Sequence, residues 1–228
     1  MKLHVSLFVL LIGLALVGCH RSGGYSATAE IEIPPRGGAR LEPGTFKTIP
    51  PTAQDWQGEF EVIESPEVVA PIITDLNLDR IWAKRLNSGD ALPMEDALKY
   101  LGSRLKLEGK SGTWIIRITV TSDVPQEAAN IANSIADHYK AMRDQAEEQL
   151  SRRGIEVLKD QIAQQEQTST DAKARATQNP HNDDLQKQSQ VSQAMLQALR
   201  LKLQQDEEDI KVTTSPVRIV SRAVPPPE

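Results

Sequence analysis

The chain has 228 residues, enough for one sizeable core or for one domain with an extended appendage. Aromatic residues make up 4%, thin for a compact enzyme core but ordinary for a chain that spends much of its length in helical hairpins. The net charge of −5 argues against nucleic acid as a partner, and a single cysteine excludes an intrachain disulfide.

Residues 1–18 have the form of a signal sequence. Lys2 supplies a positive n-region, and Leu3 to Val17 form an apolar run that is short for a membrane span of roughly 20 residues. The run ends Leu16-Val17-Gly18-Cys19, which resembles the bacterial lipoprotein signal motif, where small residues precede a cysteine that is lipidated and becomes the first mature residue. The resemblance makes Cys19 the lipidation site. It implies a bacterial cell-envelope protein, attached to the membrane through its N-terminal lipid and facing the periplasm. His20 after the cysteine leaves inner and outer membrane both open.

From Tyr25 to Ile33 the residues alternate, with Tyr25, Ala27, Ala29, Ile31 and Ile33 on one face and Ser26, Thr28, Glu30 and Glu32 on the other, which predicts a strand with one buried face. Pro34-Pro35 stops it, and the Pro- and Gly-rich stretch through Pro51 predicts a loop. Phe60 to Leu78 predicts helix broken near Ser65-Pro66, with Val68, Val69, Ile72, Ile73, Leu76 and Leu78 on its apolar side. A short helix follows from about Met94 to Leu105, and Leu105-Lys106-Leu107 leads toward the next strand. Gly109-Lys110-Ser111 looks like the end of a phosphate-binding loop. That motif needs glycine five residues earlier, where Arg104 stands, and a strand before and a helix after rather than the reverse. It predicts a turn.

The stretch from Trp114 to Tyr139 organises the rest. Trp114, Ile116, Ile118 and Val120 alternate with polar or outward residues as in a strand. Asp123 with Gln126 has the form of a capping box, and Pro125 suits a first helical turn. Ala128, Ile131, Ala132, Ile135, Ala136, Tyr139 and Met142 then recur at helical spacing, and the pattern continues through Ala146, Leu150, Ile155, Leu158 and Ile162. It turns polar until Asn179-Pro180, where Pro180 ends the helix. Asn182 or Asp183 caps a second helix to about Lys211, with Leu196, Leu199, Leu203 and Ile210 at heptad-like spacing. The two series mirror each other about the Pro180–His181 bond, setting Ile162 against Leu199, Leu158 against Leu203 and Leu150 against Ile210. The mismatches Gln165 with Leu196 and Ile155 with Asp206 make the seam imperfect and its tip weakly held. Gln126 to Met142, which has no partner in this mirror, is expected to pack its Ala-rich face on the sheet. Each arm should reach roughly 45–50 Å at about 1.5 Å per residue.

Ser215 to Ala223 predicts a last strand, ended by Val224-Pro225-Pro226-Pro227. The expected fold class is α+β. A small membrane-proximal α/β base of three to four strands plus short helices (19–125 and 213–228) carries a long antiparallel helical hairpin (126–212) that turns near 179–183. So thin a hairpin buries little apolar area per residue, and side-by-side association into a homo-oligomer would remedy this.

Three stretches resemble the polysaccharide chain-length determinant family, the Wzz-type co-polymerases. They are Tyr25 to Ile33; Phe60 to Ser65 with Val68-Val69 and Leu76-Asn77-Leu78; and, most specifically, Asp123-Val-Pro-Gln-Glu-Ala-Ala-Asn-Ile-Ala-Asn-Ser-Ile-Ala-Asp-His-Tyr139, which looks like the family's helix opening. Val217-Arg-Ile-Val-Ser-Arg-Ala-Val-Pro-Pro226 is similar to its final strand and proline-rich segment. The resemblance implies a protein that sets the modal length of O-antigen, capsule or exopolysaccharide chains, with a membrane polymerase or export machinery and the polysaccharide chain as partners. The expectation is a lipoprotein variant, with a lipid signal in place of the family's first transmembrane helix and without its second.

No catalytic constellation, cofactor motif or metal-ligand spacing is present. His4, His20, His138 and His181 are dispersed, and Asp206-Glu207-Glu208-Asp209 predicts a solvated helix face rather than a cation site. Asn130 and Asn133 could touch sugar, but packing with local hydrogen bonds is the better expectation. The alternative function is a lipid-anchored periplasmic adaptor of an export system, which also uses a helical hairpin. An envelope hydrolase is the third and least supported.

Overall fold

The computed structural model describes residues 24–33, 51–212 and 216–227. Cys19, the apolar run and the stretch from Pro34 to Pro50 lie outside the described residues. In chain order the elements are strand β1 (Tyr25–Glu32), helices α1 (Ala53–Ile63), α2 (Pro66–Asp75), α3 (Leu78–Leu86) and α4 (Met94–Gly102), strands β2 (Leu105–Gly109) and β3 (Ile115–Ser122), helices α5 (Pro125–Gln178) and α6 (Asp183–Val212), and strand β4 (Arg218–Ser221). The fold is α+β.

The strands form one antiparallel sheet in the order β2-β3-β1-β4. Period-2 alternation puts Ala27, Ala29 and Ile31 of β1 beside Ile116, Ile118 and Val120 of β3 on one face, and all six are buried. On the opposite face the same register pairs hydroxyls, Ser26 with Thr121 and Thr28 with Thr119, each at 2.9 Å. The first turns of α5 lie on the apolar face. Ala128, Ala129, Ile131, Ala132, Ile135, Ala136 and Tyr139 are all buried there, as the unpartnered Ala-rich stripe predicts. Helices α1 to α4 close the core with Ile63, Val68, Val69, Ile72, Ile73, Leu78, Trp82, Ala97 and Leu101.

Several boundaries differ from those expected, each for a local reason. The helix expected from Phe60 begins at Ala53, because Thr52 and Asp55 form a reciprocal capping box. The stretch expected to end at Leu78 instead turns at Asn77, whose left-handed backbone (φ 51°) redirects the chain into α3. The helix expected through Leu105 stops at Gly102, and Leu105 pairs with Val120 as the first residue of β2. The Asp123–Gln126 capping box does not form. The α5 N-cap is Val124, and the Asp123 carboxylate turns instead to Arg85 (3.4 Å) and Arg104 (3.8 Å). The last strand is shorter than expected, Arg218–Ser221. The Gly109-Lys110-Ser111 stretch is a hairpin turn closed by the Lys110 N–H donating to Ile115 O (2.8 Å), and Gly112 holds a positive φ of 72°.

Helix α5 has 54 residues and α6 has 30, or about 80 Å and 45 Å at 1.5 Å per residue. The hairpin therefore stands well clear of the sheet that holds its lower end.

Candidate functional site: the arm and its socket

The lower part of α5 is gripped on all sides. Glu127, in its first turn, accepts from Trp82 Nε1 (3.2 Å) and Ser122 Oγ, and takes both Arg85 nitrogens (3.0 and 2.8 Å). Burial works to raise the Glu127 pKa, but the hydrogen bonds from Arg85, Ser122 and Trp82 outweigh it and hold the carboxyl below the usual range. Donating to Glu127 in turn pushes the Arg85 pKa up. Three turns higher, Glu59 of α1 receives the Tyr139 hydroxyl and Arg143 Nη1 (2.9 and 3.1 Å). His138 sits between Ser134 O (3.0 Å) and Asp75 of α2 (3.3 Å).

The C-terminal segment closes the remaining side. Asn133 Nδ2 donates to Ala223 O (3.0 Å) while the Ala223 N–H donates to Asn133 Oδ1 (2.8 Å), and Arg222 binds Asp137 through two nitrogens (2.7 and 2.9 Å). Elements far apart in sequence thus converge on α5 between Glu127 and Arg143.

Among the described residues, only α6 accompanies α5 above this socket. The inward residues of α5 are Ile155, Leu158, Ile162, Gln165, Ser169, Ala172 and Ala176, alternating three and four apart in an unbroken heptad pattern. Those of α6 include Ser189, Ser192, Leu196, Leu199, Leu203 and Ile210 in the same rhythm. The lower half of the seam is aliphatic. The upper half is small and polar, with Ser169, Ala172, Ala176, Ser189 and Ser192 buried. There Gln165 Nε2 donates to Ser192 O (3.1 Å) and Oγ (2.9 Å), and Gln186 Nε2 donates to Ala176 O (2.9 Å). Cross-arm ion pairs Arg200–Glu166 (2.6 Å) and Lys159–Glu207 (3.5 Å) flank the seam. At the tip, Asn182 caps α6 by accepting from the Asp184 and Leu185 N–H groups (3.1 and 3.2 Å).

The expected facing of Leu150 with Ile210 is not observed. Leu150 is 60% exposed, and Ile155 rather than Leu150 lines a shared depression with Ile210. The heptad register inferred from aliphatic residues alone ran past the seam's lower end. Leu150 and Val157, seven apart and so on one face of α5, point away from α6. Val191, Met195 and Leu201 are exposed on α6.

Among other candidates, Asn133 is occupied by the Ala223 backbone and Asn130 accepts from Gln126 (2.7 Å), so both make local hydrogen bonds. In the acidic run, Asp206 takes Lys202, Glu207 takes Lys159 and Glu208 takes Gln204. Among the described residues no group of His, Cys, Asp or Glu is arranged to hold a metal ion. None of the described helices is long and apolar enough to cross a membrane. The Trp82–Glu127–Arg85 cluster escaped the sequence reading, since no local pattern ties residues more than forty positions apart.

Comparison with known proteins places the Wzz O-antigen regulators among the structural neighbours. The Shigella flexneri lipopolysaccharide O-antigen chain-length regulator WzzBSF matches in a point-mutant structure at 14% identity and TM-score 0.37, covering 89% of this chain and 97% of that one. Its wild-type structure matches at 13% and 0.33, covering 90% and 99%. The periplasmic domain of a chimeric LPS O-antigen chain length regulator matches at 13% and 0.29, covering 89% and 97%. These values are too low for the likeness to decide function. No protein-family model matches the chain, and no curated protein does.

Proposed function

We propose that this chain is a non-catalytic envelope protein that regulates the length and polymerisation of a surface polysaccharide, O-antigen, capsule or exopolysaccharide, as an oligomer working beside a membrane polymerase. One observation carries the reading: a small base clamps the foot of a helix about 80 Å long, whose hairpin leaves apolar side chains facing outward. Such an arm encloses little, but it presents a long surface to neighbouring copies or to a growing polymer. The helix-opening stretch Asp123 to Tyr139, which resembles that of the Wzz-type co-polymerases, supports the same reading. In it Cys19 carries the lipid that holds the base at the membrane.

Deleting the gene and resolving the surface polysaccharide by gel electrophoresis tests it. An altered length distribution, restored by the intact gene, is the expected result. Loss of export with normal lengths would point instead to a lipid-anchored adaptor, and an unchanged ladder would overturn both.

A further inference from the structure

We propose that the end of the base from which α5 starts rests on the headgroup layer of a lipid bilayer containing anionic lipids. The proposal relies on the envelope reading above and adds to it the face that meets the membrane.

The topology gathers four segments at this end. Tyr25, opening β1, pairs with Ser122, closing β3, and Thr121 N–H donates to Arg104 O (2.9 Å) at the start of β2. The last turn of α3 arrives there too, because Arg85 reaches both Asp123 and Glu127. Strand β4 runs antiparallel to β1, so the segment after Ala223 heads the same way.

Apolar side chains are left uncovered at this end. Leu78, Trp82 and Leu86 form one stripe of α3 at four-residue spacing. The first two are 1% exposed, but Leu86 is 45% exposed, because the base ends before the stripe does. Val124, in the turn before α5, is 42% exposed, and Val224 also lies open. On the outer side of α3, Ile81 is exposed between the exposed cations Arg80 and Lys84. Apolar residues flanked by Arg and Lys are the composition of surfaces that settle at a headgroup–acyl boundary. Nearby, Arg85 and Arg104 both close on Asp123, which offsets its repulsion from an anionic surface.

The length of the preceding chain identifies the occupant. The apolar run ends at Val17, and residues 18–23 span at most about 20 Å before Gly24. With the lipid on Cys19, as in the envelope reading above, this end of the base is within that reach of the bilayer. The arm rises from the same end in the opposite direction across the sheet, so its exposed residues cannot share the surface.

The test uses the full chain in vesicles of phosphatidylcholine and phosphatidylglycerol with bromine-labelled acyl chains. An environment-sensitive fluorophore is placed by Leu86→Cys, Val124→Cys or, as an arm control, Val191→Cys, with the unsubstituted chain reporting any label taken by Cys19. All three positions are exposed, so circular dichroism should match the unsubstituted chain. The expected result is quenching at positions 86 and 124, none at 191, and loss of quenching when Arg80→Glu and Lys84→Glu are combined. A chain that floats with the vesicles without quenching at 86 and 124 overturns this face and leaves the anchor standing. A chain that does not float overturns the anchored reading and this face with it.

Discussion

Asn133, on the long helix, and Ala223, in the C-terminal segment, exchange two hydrogen bonds through one side-chain amide, which imitates the pairing of two strands. The buried Ala223 is thereby fastened to α5 beyond the four residues of β4. Replacing Asn133 by Ala removes both partners from the Ala223 backbone. At about 1 kcal/mol for each bond, with a further penalty for groups left unpaired, the loss should be about 1–3 kcal/mol. Asn133→Asp keeps the acceptor and loses the donor, so it should fall between. Denaturant midpoints and amide exchange at Ala223 check this, and unchanged exchange in Asn133→Ala would rule out the strap.

Glu127 joins Arg85, Trp82 and Ser122 at the foot of the arm. Glu127→Ala leaves the Trp82 indole N–H without its acceptor and the Arg85 guanidinium held by Asp123 (3.4 Å), and should cost about 1–3 kcal/mol. The pH dependence has a defined sign. Because the folded pKa of Glu127 is lowered, its contribution is fully present above the unfolded value of about 4.3 and disappears as pH falls through the folded value. The stability gap between the wild type and Glu127→Gln should be constant near neutral pH and close below about pH 4. Thermal unfolding across pH measures it, and a gap that persists at acid pH contradicts the assignment.

Gly109 closes β2 directly under the indole of Trp56, and a Cβ there would lie 2.5 Å from Nε1. Trp56 also stacks on Phe60 and tilts against Trp114, so the ring has little freedom to move aside. Gly109→Ala should therefore destabilise by about 1–3 kcal/mol through overpacking. A red-shifted tryptophan emission should accompany it. Gly102→Ala, where a Cβ meets nothing within 4 Å, is the control expected to keep the wild-type spectrum.

How far the sequence spoke depends on how local each interaction is. Strands β1 and β3 and the Ala-rich face of α5 follow from period-2 and helical spacing, because one buried face dictates every second or third residue. The hairpin turn was equally plain from Asn179-Pro180 and the Asn182 cap. Helix α3 was missed because Asn77 supplies the redirecting left-handed turn without a Gly or Pro to mark it. The capping box failed because Asp123 has better partners in Arg85 and Arg104, on α3 and at the start of β2. The upper seam was underrated for a related reason. Ser169, Ala172, Ser189 and Ser192 carry no hydrophobic signal, yet their small size lets the helices approach and bury them.

On the arm, Leu150 and Val157 share the face of α5 turned away from α6, with Gly154 between them adding no bulk. They lie above the Arg143 end of the socket, where neither the base nor the partner helix covers them. In the proposed oligomer this stripe is the surface expected to meet a neighbouring copy. Leu150→Asp with Val157→Asp would bury two unpaired charges at that contact and should abolish it. Both residues are exposed within the chain, so helicity and the unfolding midpoint should change by less than about 0.5 kcal/mol per site. Sedimentation of the detergent-extracted protein should show the mass falling toward one chain. The polysaccharide ladder of cells carrying the variant should then lose its modal length as the deletion does. A variant that keeps its mass places the contact elsewhere on the arm, and one that loses mass yet keeps the ladder separates assembly from length control.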